Sequence, residues 1–244
     1  MVLPEALIKP ATLAKWGRWL KGGEAAKTGD WAKYVDDFFA NSKVITSKNR
    51  ILNKRLDKVY TQLSVEEITA IHHYTTGAYK DFNAALRAAN GNIYALDEFN
   101  RAFYEILQSG MQKMPSKFSG QLYRGTSLSE QALLKYKNAF NNGSELVEYA
   151  YTSTSQKTNV IEFFQSLAKQ EGEVNVVMQF NAKGIKAVDV NNISRYGPNF
   201  NELGGQLQDE VLFMSGAKFK VTGYEELTDA VSGKYIEITF TEIP

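Results

Sequence analysis

Gly204-Gly205-Gln206-Leu207-Gln208-Asp209-Glu210-Val211-Leu212-Phe213 is the stretch on which the fold turns. Two glycines, free to take turn conformations closed to other residues, lead into Gln208 and Glu210 and then into an apolar run that predicts a buried strand. The i, i+2 spacing is expected to put the Gln208 and Glu210 side chains on one strand face. A carboxylate running into Val-Leu-Phe has a reason to be there, although taken alone an ordinary edge-strand Glu is the simpler account.

Working outward, short runs of β-branched and aromatic residues predict further strands over 121–124, 147–153, 174–180, 185–190, 217–221 and 235–241, with 211–214 as the strand just described. Helical pieces are expected over 129–140 and 160–169. The first half has a different character. Ser64-Val65-Glu66-Glu67 is a capping box that predicts a helix running through Leu86, and Leu96, Phe99, Phe103, Ile106 and Leu107 carry a second helix over 97–111. Leu13, Trp16, Leu20, Trp31, Val35 and Phe38 give residues 11–39 a helical period on either side of Gly22-Gly23. The fold class is therefore α+β, a mixed β core preceded by helices. Residues 1–60 form an N-terminal helical segment and 61–244 the main domain.

The chain has 244 residues, 28 Lys plus Arg against 27 Asp plus Glu, 43% hydrophobic residues and no Cys. That is ample material for a core, and the net charge of +1 argues against a nucleic-acid partner because no overall field would gather a polyanion. Without Cys, disulfide scaffolds, zinc–thiolate sites and thiol nucleophiles are excluded. No apolar run reaches the roughly 18–20 residues that span a bilayer, and no signal peptide is evident. Lys9, Lys15, Arg18 and Lys21 would suit a membrane-surface helix within residues 1–40, but a core-packing helix with solvated lysines is the simpler expectation. Dinucleotide glycine fingerprints, P-loops, zincin motifs and serine-hydrolase elbows are missing. Adjacent His72 and His73 point about 100° apart on a helix, cannot both serve one metal, and are expected to have a structural or surface role.

Two further motifs precede Glu210. In Leu122-Tyr123-Arg124-Gly125, a strand-end Arg presents a planar fork suited to phosphate, and Gly125 lets a ligand approach the backbone. In Tyr151-Thr152-Ser153-Thr154-Ser155, the Ser153 and Thr154 hydroxyls can orient a carboxylate or a ribose. Each has a plain structural explanation when taken singly: a surface ion pair for the first, a solvated strand face for the second.

Together, Arg124, then Ser153 in Ser-Thr-Ser, then Gln208-Asp209-Glu210 resemble the Arg-Ser-Glu class of mono-ADP-ribosyltransferases. Tyr74, Tyr79, Asn83 and Arg87 resemble the helix of its bacterial toxin branch, and Phe164, eleven residues after Ser153, falls where that branch stacks an aromatic ring on nicotinamide. The resemblance covers residues 64–244. It implies a β core of two sheets and an enzyme that breaks the nicotinamide–ribose bond of NAD and moves ADP-ribose to a protein side chain. NAD is then the co-substrate, and no metal is expected. By the same resemblance Glu210 holds the ribose 2′-hydroxyl and Ser153 holds Glu210. Arg124 and Arg87 bind pyrophosphate, Asn83 completes the clamp, and Tyr74, Tyr79 and Phe164 pack the dinucleotide.

Gln208 carries the acceptor information. Arginine-modifying members usually have Glu at that place, whereas Gln is similar to the clostridial exoenzymes that modify an asparagine of Rho GTPases, which implies an amide acceptor on a small GTPase-like host protein. Three positions before the Gln, where those exoenzymes carry an aromatic ring, this chain has Gly205, with Tyr196 and Phe200 offset. The resemblance further implies a monomeric toxin or effector, secreted or injected into a host cell. NAD glycohydrolysis, arginine- or guanine-directed transfer, and a non-catalytic partner-binding module are the alternatives.

Overall fold

A computed structural model describes residues 61–75, 79–115, 117–158, 161, 172–199, 207–229 and 233–244. The helical segment and membrane-surface expectation for residues 1–60, the helix over 160–169 with Phe164, and Phe200 and 204–206 lie outside these residues.

The described chain opens with helices. The capping box forms as expected: Ser64 Oγ accepts from the Glu67 amide at 3.2 Å and Glu67 Oε2 accepts from the Ser64 amide at 2.8 Å, starting α1 at Val65–His73. Of the helix expected to run through Leu86, the described α-helical part of the first element ends at His73. The Thr75 hydroxyl donates to the His72 carbonyl at 2.7 Å, and helix α2 is Tyr79–Ala89. Asp97 caps α3, Glu98–Lys113. Glu67 also accepts from Ser109 and Lys113 of α3, so the cap that begins α1 fastens the two helices together.

The strands that follow are β1 Lys117–Ser129, β2 Glu145–Glu148, β3 Thr152–Ser155, β4 Glu173–Asp189, β5 Glu210–Phe213, β6 Ala217–Asp229 and β7 Gly233–Ile243, with α4, Glu130–Asn142, between β1 and β2. Two sequence expectations change. The run over 147–153 breaks at 149–151 into the ends of β2 and β3, and the runs over 174–180 and 185–190 are one long strand, β4. Gly184, with φ of +74°, lets β4 turn without leaving the sheet. The buried Glu242 carboxylate accepts the Lys183, Ile185 and Lys186 amides that the turn frees.

All seven strands form one hydrogen-bonded network in the order β1-β3-β5-β4-β7-β6-β2, with β1 also paired to β4. Where the resemblance implied two sheets, the described strands are all joined by hydrogen bonds into one. One half of β4 pairs parallel with β7, and its far end pairs antiparallel with β5, making the sheet mixed.

β5 lies where the two cores meet, and all four of its residues are buried. Val211 and Phe213 enter a core with Phe180, Phe219 and Phe240, whose rings pack at centroid distances of 4.8–5.9 Å. Leu212 faces the other core, with Tyr74, Phe82, Phe103, Leu107 and Tyr151 from the helices and the β2–β3 connection. Strand alternation therefore puts Glu210 on the helix-facing side with Leu212.

Candidate active site

Register brings the site together. Ser153 pairs with Leu212 and Ser155 with Glu210, so Ser153 and Glu210 are diagonal neighbours on one face of the β3–β5 pair. Ser153 Oγ donates to Glu210 Oε1 at 2.5 Å, and Arg124 Nη1 donates to the Ser153 carbonyl at 2.8 Å. Arg124, Ser153 and Glu210, brought from three strands, are thus one connected group.

Glu210 is 3% exposed. Burial pushes its carboxyl above the usual range, opposed by the Ser153 and Ser194 hydrogen bonds and by the Arg124 charge. Its other oxygen, Oε2, accepts from Ser194 Oγ at 2.5 Å. Ser194 is a site residue that the sequence reasoning missed. It stands in a turn after β4 in which the Ile193 and Ser194 amides both donate to the Val190 carbonyl at 2.8 Å.

The approach to Glu210 is fixed from both sides. Ser155 Oγ donates to the Gln208 carbonyl, the Gln156 amide donates to the Asp209 carbonyl, and the Val190 amide donates to the Glu210 carbonyl. Asp209 takes a left-handed backbone with φ of +46°. The strand begins only at Glu210, so strand alternation does not extend to Gln208 as the i, i+2 expectation required. Gln208 is largely buried, at 9% exposure, and its amide lies 3.4 Å from the carbonyl of the exposed Tyr196.

Other expected site residues stand behind this group. Tyr74 is 1% exposed; its hydroxyl donates to the Tyr151 carbonyl at 3.0 Å and accepts from Asn83 Nδ2 at 2.8 Å. Asn83 also brackets the Tyr151 backbone, donating to its carbonyl at 3.1 Å and accepting from its amide at 3.2 Å. These two polar groups bond the segment that leads into β3. Thr154 is buried and donates to the Val211 carbonyl at 2.7 Å. Arg87 is exposed on α2 and pairs with Glu148 at 3.1 Å. Tyr79 is half-buried against the helical core, and Gly125 is buried where β1 pairs with Val177.

His72 and His73 are structural. His72 Nδ1 bonds the Ile193 carbonyl at 2.7 Å, and the His73 ring meets Phe103 edge-on at 5.7 Å. Burial pulls both imidazoles down to about 4, so both are neutral near pH 7. Among the described residues no group of three or more His, Cys, Asp or Glu is placed to hold a metal ion, and no helix is long and apolar enough to cross a membrane.

Residues 48–242 match the family described as ADP-ribosyltransferase exoenzyme. Mav of Mycobacterium avium (strain 104), named as a candidate NAD(+)–arginine ADP-ribosyltransferase, is 29% identical over 174 residues, 71% of this chain and 18% of Mav. Vis of Vibrio splendidus (strain 12B01), similarly named, is 26% identical over 172 residues, 70% of this chain and 64% of Vis. The chain thus spans less than two thirds of either relative. The solved Vis toxin superposes with a TM-score of 0.57 at 20% identity, covering 92% of this chain and 89% of that one, and Vis is also solved in complex with agmatine. The Clostridium limosum C3 exoenzyme superposes with a TM-score of 0.54 at 21% identity, covering 80% of this chain and 94% of that one. At these identities the superpositions establish a shared fold.

Proposed function

This chain belongs to the ADP-ribosyltransferase exoenzyme family, a family of NAD-dependent transferases, and we propose that it moves ADP-ribose from NAD to a protein side chain through Glu210. The observation that carries the proposal is the connected group itself: Arg124 on the Ser153 carbonyl, and the Ser153 hydroxyl on a Glu210 carboxylate buried at the junction of the two cores. A buried carboxylate held by hydroxyls is costly to keep, and it suits a reaction that develops positive charge.

In the reaction, the bond between the nicotinamide nitrogen and ribose C1′ breaks, nicotinamide leaves with the bonding pair, and C1′ acquires oxocarbenium character. Glu210 supplies negative charge in place before the reaction and accepts a hydrogen bond from the ribose 2′-hydroxyl, which strengthens as the charge develops. The acceptor nitrogen then forms a bond to C1′ and loses a proton to solvent or to Glu210. Arg124 is the pyrophosphate ligand supplied by β1, and Arg87 joins it when it leaves Glu148. Phe164 and Tyr79 contribute the aromatic contacts to the dinucleotide. Tyr74, Asn83 and Thr154 hold β3 in place for them. No metal takes part.

Gln208 favours an amide acceptor on a small GTPase-like protein, because a neutral amide can both donate to and accept from another amide, whereas it offers no charge to a guanidinium. The second reading, an arginine acceptor, is favoured by the names of Mav and Vis and by the agmatine complex of Vis. Relatives that are toxins support an effector exported from the cell that makes it. Incubation with labelled NAD and either agmatine or a eukaryotic lysate, followed by mass-spectrometric mapping of the label, separates these readings. Label on an Asn or Gln of one lysate protein supports the first, label on agmatine or a protein Arg supports the second, and nicotinamide release without any labelled acceptor would make the chain a glycohydrolase.

A further inference from the structure

The Glu210 carboxylate has two oxygens, and each is met by a different serine. Oε1 takes the Ser153 hydroxyl and Oε2 the Ser194 hydroxyl, both at 2.5 Å. Ser153 belongs to the strand next to β5, so its position follows from sheet register. Ser194 does not. It is fully buried in the turn after β4, and that turn is tied to the end of α1, more than a hundred residues earlier in the chain. His72 Nδ1 bonds the Ile193 carbonyl at 2.7 Å, and Thr75 Oγ1 accepts from the Arg195 amide at 2.8 Å, so both residues flanking Ser194 are anchored. The Tyr196 amide donates to Ser194 Oγ at 3.1 Å, which directs the hydroxyl proton toward Glu210. Gly197 closes the turn, its amide donating to the Ser194 carbonyl at 3.0 Å, and a β-carbon there would lie 1.6 Å from the Asn191 carbonyl oxygen.

A serine that needed only to be buried could bond anywhere. This one donates to the carboxylate oxygen left over by Ser153, in a turn indexed on both sides by helix α1. We infer that Ser194 is a second positioning residue for Glu210, fixing the rotation of the carboxylate and favouring its ionised form, and that the end of α1 sets this contact through His72 and Thr75. The inference rests on the assignment of Glu210 above. Between them the two serines fix the plane of the carboxylate and leave lone pairs on both oxygens for substrate. Among the described residues, the charged and titratable groups acting on Glu210 from other elements are the Arg124 guanidinium of β1 and the Tyr74 phenol at the end of α1. Arg124 and Ser153 favour the ionised carboxylate alongside Ser194, while burial opposes it.

The test is the pH profile of nicotinamide release from NAD by the full chain carrying Ser194→Ala, with folding checked by circular dichroism and Glu210→Gln assayed alongside. Loss of one hydrogen bond to a charged group is expected to lower kcat about tenfold, with KM for NAD changed less than about twofold. The acid limb should move to higher pH, because one of the groups favouring the ionised form has gone. If Ser194→Ala does not fold, Ser194→Cys replaces it, keeping nearly the same volume with a weaker donor, and the same shift is expected. An acid limb that stays in place in a folded variant overturns the inference whatever happens to kcat. Nicotinamide release retained by Glu210→Gln overturns the assignment of Glu210 itself, whereas an inactive Glu210→Gln beside an unmoved Ser194 variant overturns only the role of Ser194.

Discussion

Lys157, just beyond the end of β3, reaches Asp209 with Nζ 2.8 Å from Oδ2, while Asn191 Nδ2 holds the other oxygen at 3.2 Å. Asp209 is the left-handed residue between Gln208 and Glu210, so this pair holds the backbone bend between those two residues. Asp is among the residues that tolerate that conformation best.

Removing the Lys157 partner should therefore act on Gln208 more than on Glu210. Lys157→Ala is expected to cost less than about 1 kcal/mol of stability, since the lysine is partly exposed. Transfer to protein should fall more than NAD hydrolysis does. The ratio of the two in one assay checks this; equal loss of both would remove Lys157 from acceptor placement.

Gln208→Ala should likewise spare nicotinamide release and weaken transfer, and Gln208→Glu should raise labelling of agmatine relative to protein amides, because a carboxylate pairs with guanidinium. A parallel loss of hydrolysis and transfer in Gln208→Ala would contradict the role given to Gln208.

Glu210 carries a stability cost that its replacement should reveal. Its folded carboxyl titrates above the unfolded value, so the native state keeps the proton to higher pH than the unfolded chain does. That contribution is present below the unfolded value and is lost as pH rises through the folded one. Glu210→Gln is expected to gain stability relative to the wild type as pH rises from about 4.5 towards 7. Denaturation midpoints of both proteins across that range check the sign, and a gap that narrows with rising pH would contradict it.

The two histidines act in the opposite direction. Both titrate near 4 in the folded protein against 6.5 in the unfolded chain. Between these values the unfolded chain binds more protons, so stability falls as pH drops from about 6.5 towards 4. His72→Gln should flatten that slope, whatever it does to stability at pH 7. Urea midpoints at pH 4.5 and pH 7 test this, and a slope unchanged from the wild type would show that His72 does not supply it.

Gly197 offers a geometric test of the turn that carries Ser194. A β-carbon there meets the Asn191 backbone rather than a flexible side chain, so Gly197→Ala is expected to cost about 1–3 kcal/mol and to lower nicotinamide release at the same time. Wild-type activity at undiminished stability would show that the turn can shift without consequence.

The legible parts of the site were those fixed by neighbouring strands. Ser153 and Glu210 stand at strand ends, and their order along the chain pointed to the chemistry before the register that joins them was visible. Tyr74 and Asn83 bond each other and the backbone that leads into β3, and spacing alone does not tell such a side chain from one that touches a ligand. Ser194 was hidden because its role depends on contacts with α1 across 120 and 121 residues of sequence. A serine 16 residues before Glu210 is a signal only once the turn is seen.

The central claim is that Glu210 is the group on which NAD cleavage depends. The direct measurement is release of nicotinamide and transfer of label from labelled NAD, with and without a eukaryotic lysate, by the wild type and by Glu210→Gln at matched folded concentration. The expected result is nicotinamide release and one discrete labelled protein with the wild type, and loss of both by at least about a hundredfold with the variant. Near-wild-type turnover by Glu210→Gln, or no NAD consumption by the wild type, would contradict the account and leave the Arg124–Ser153–Glu210 group as a binding surface.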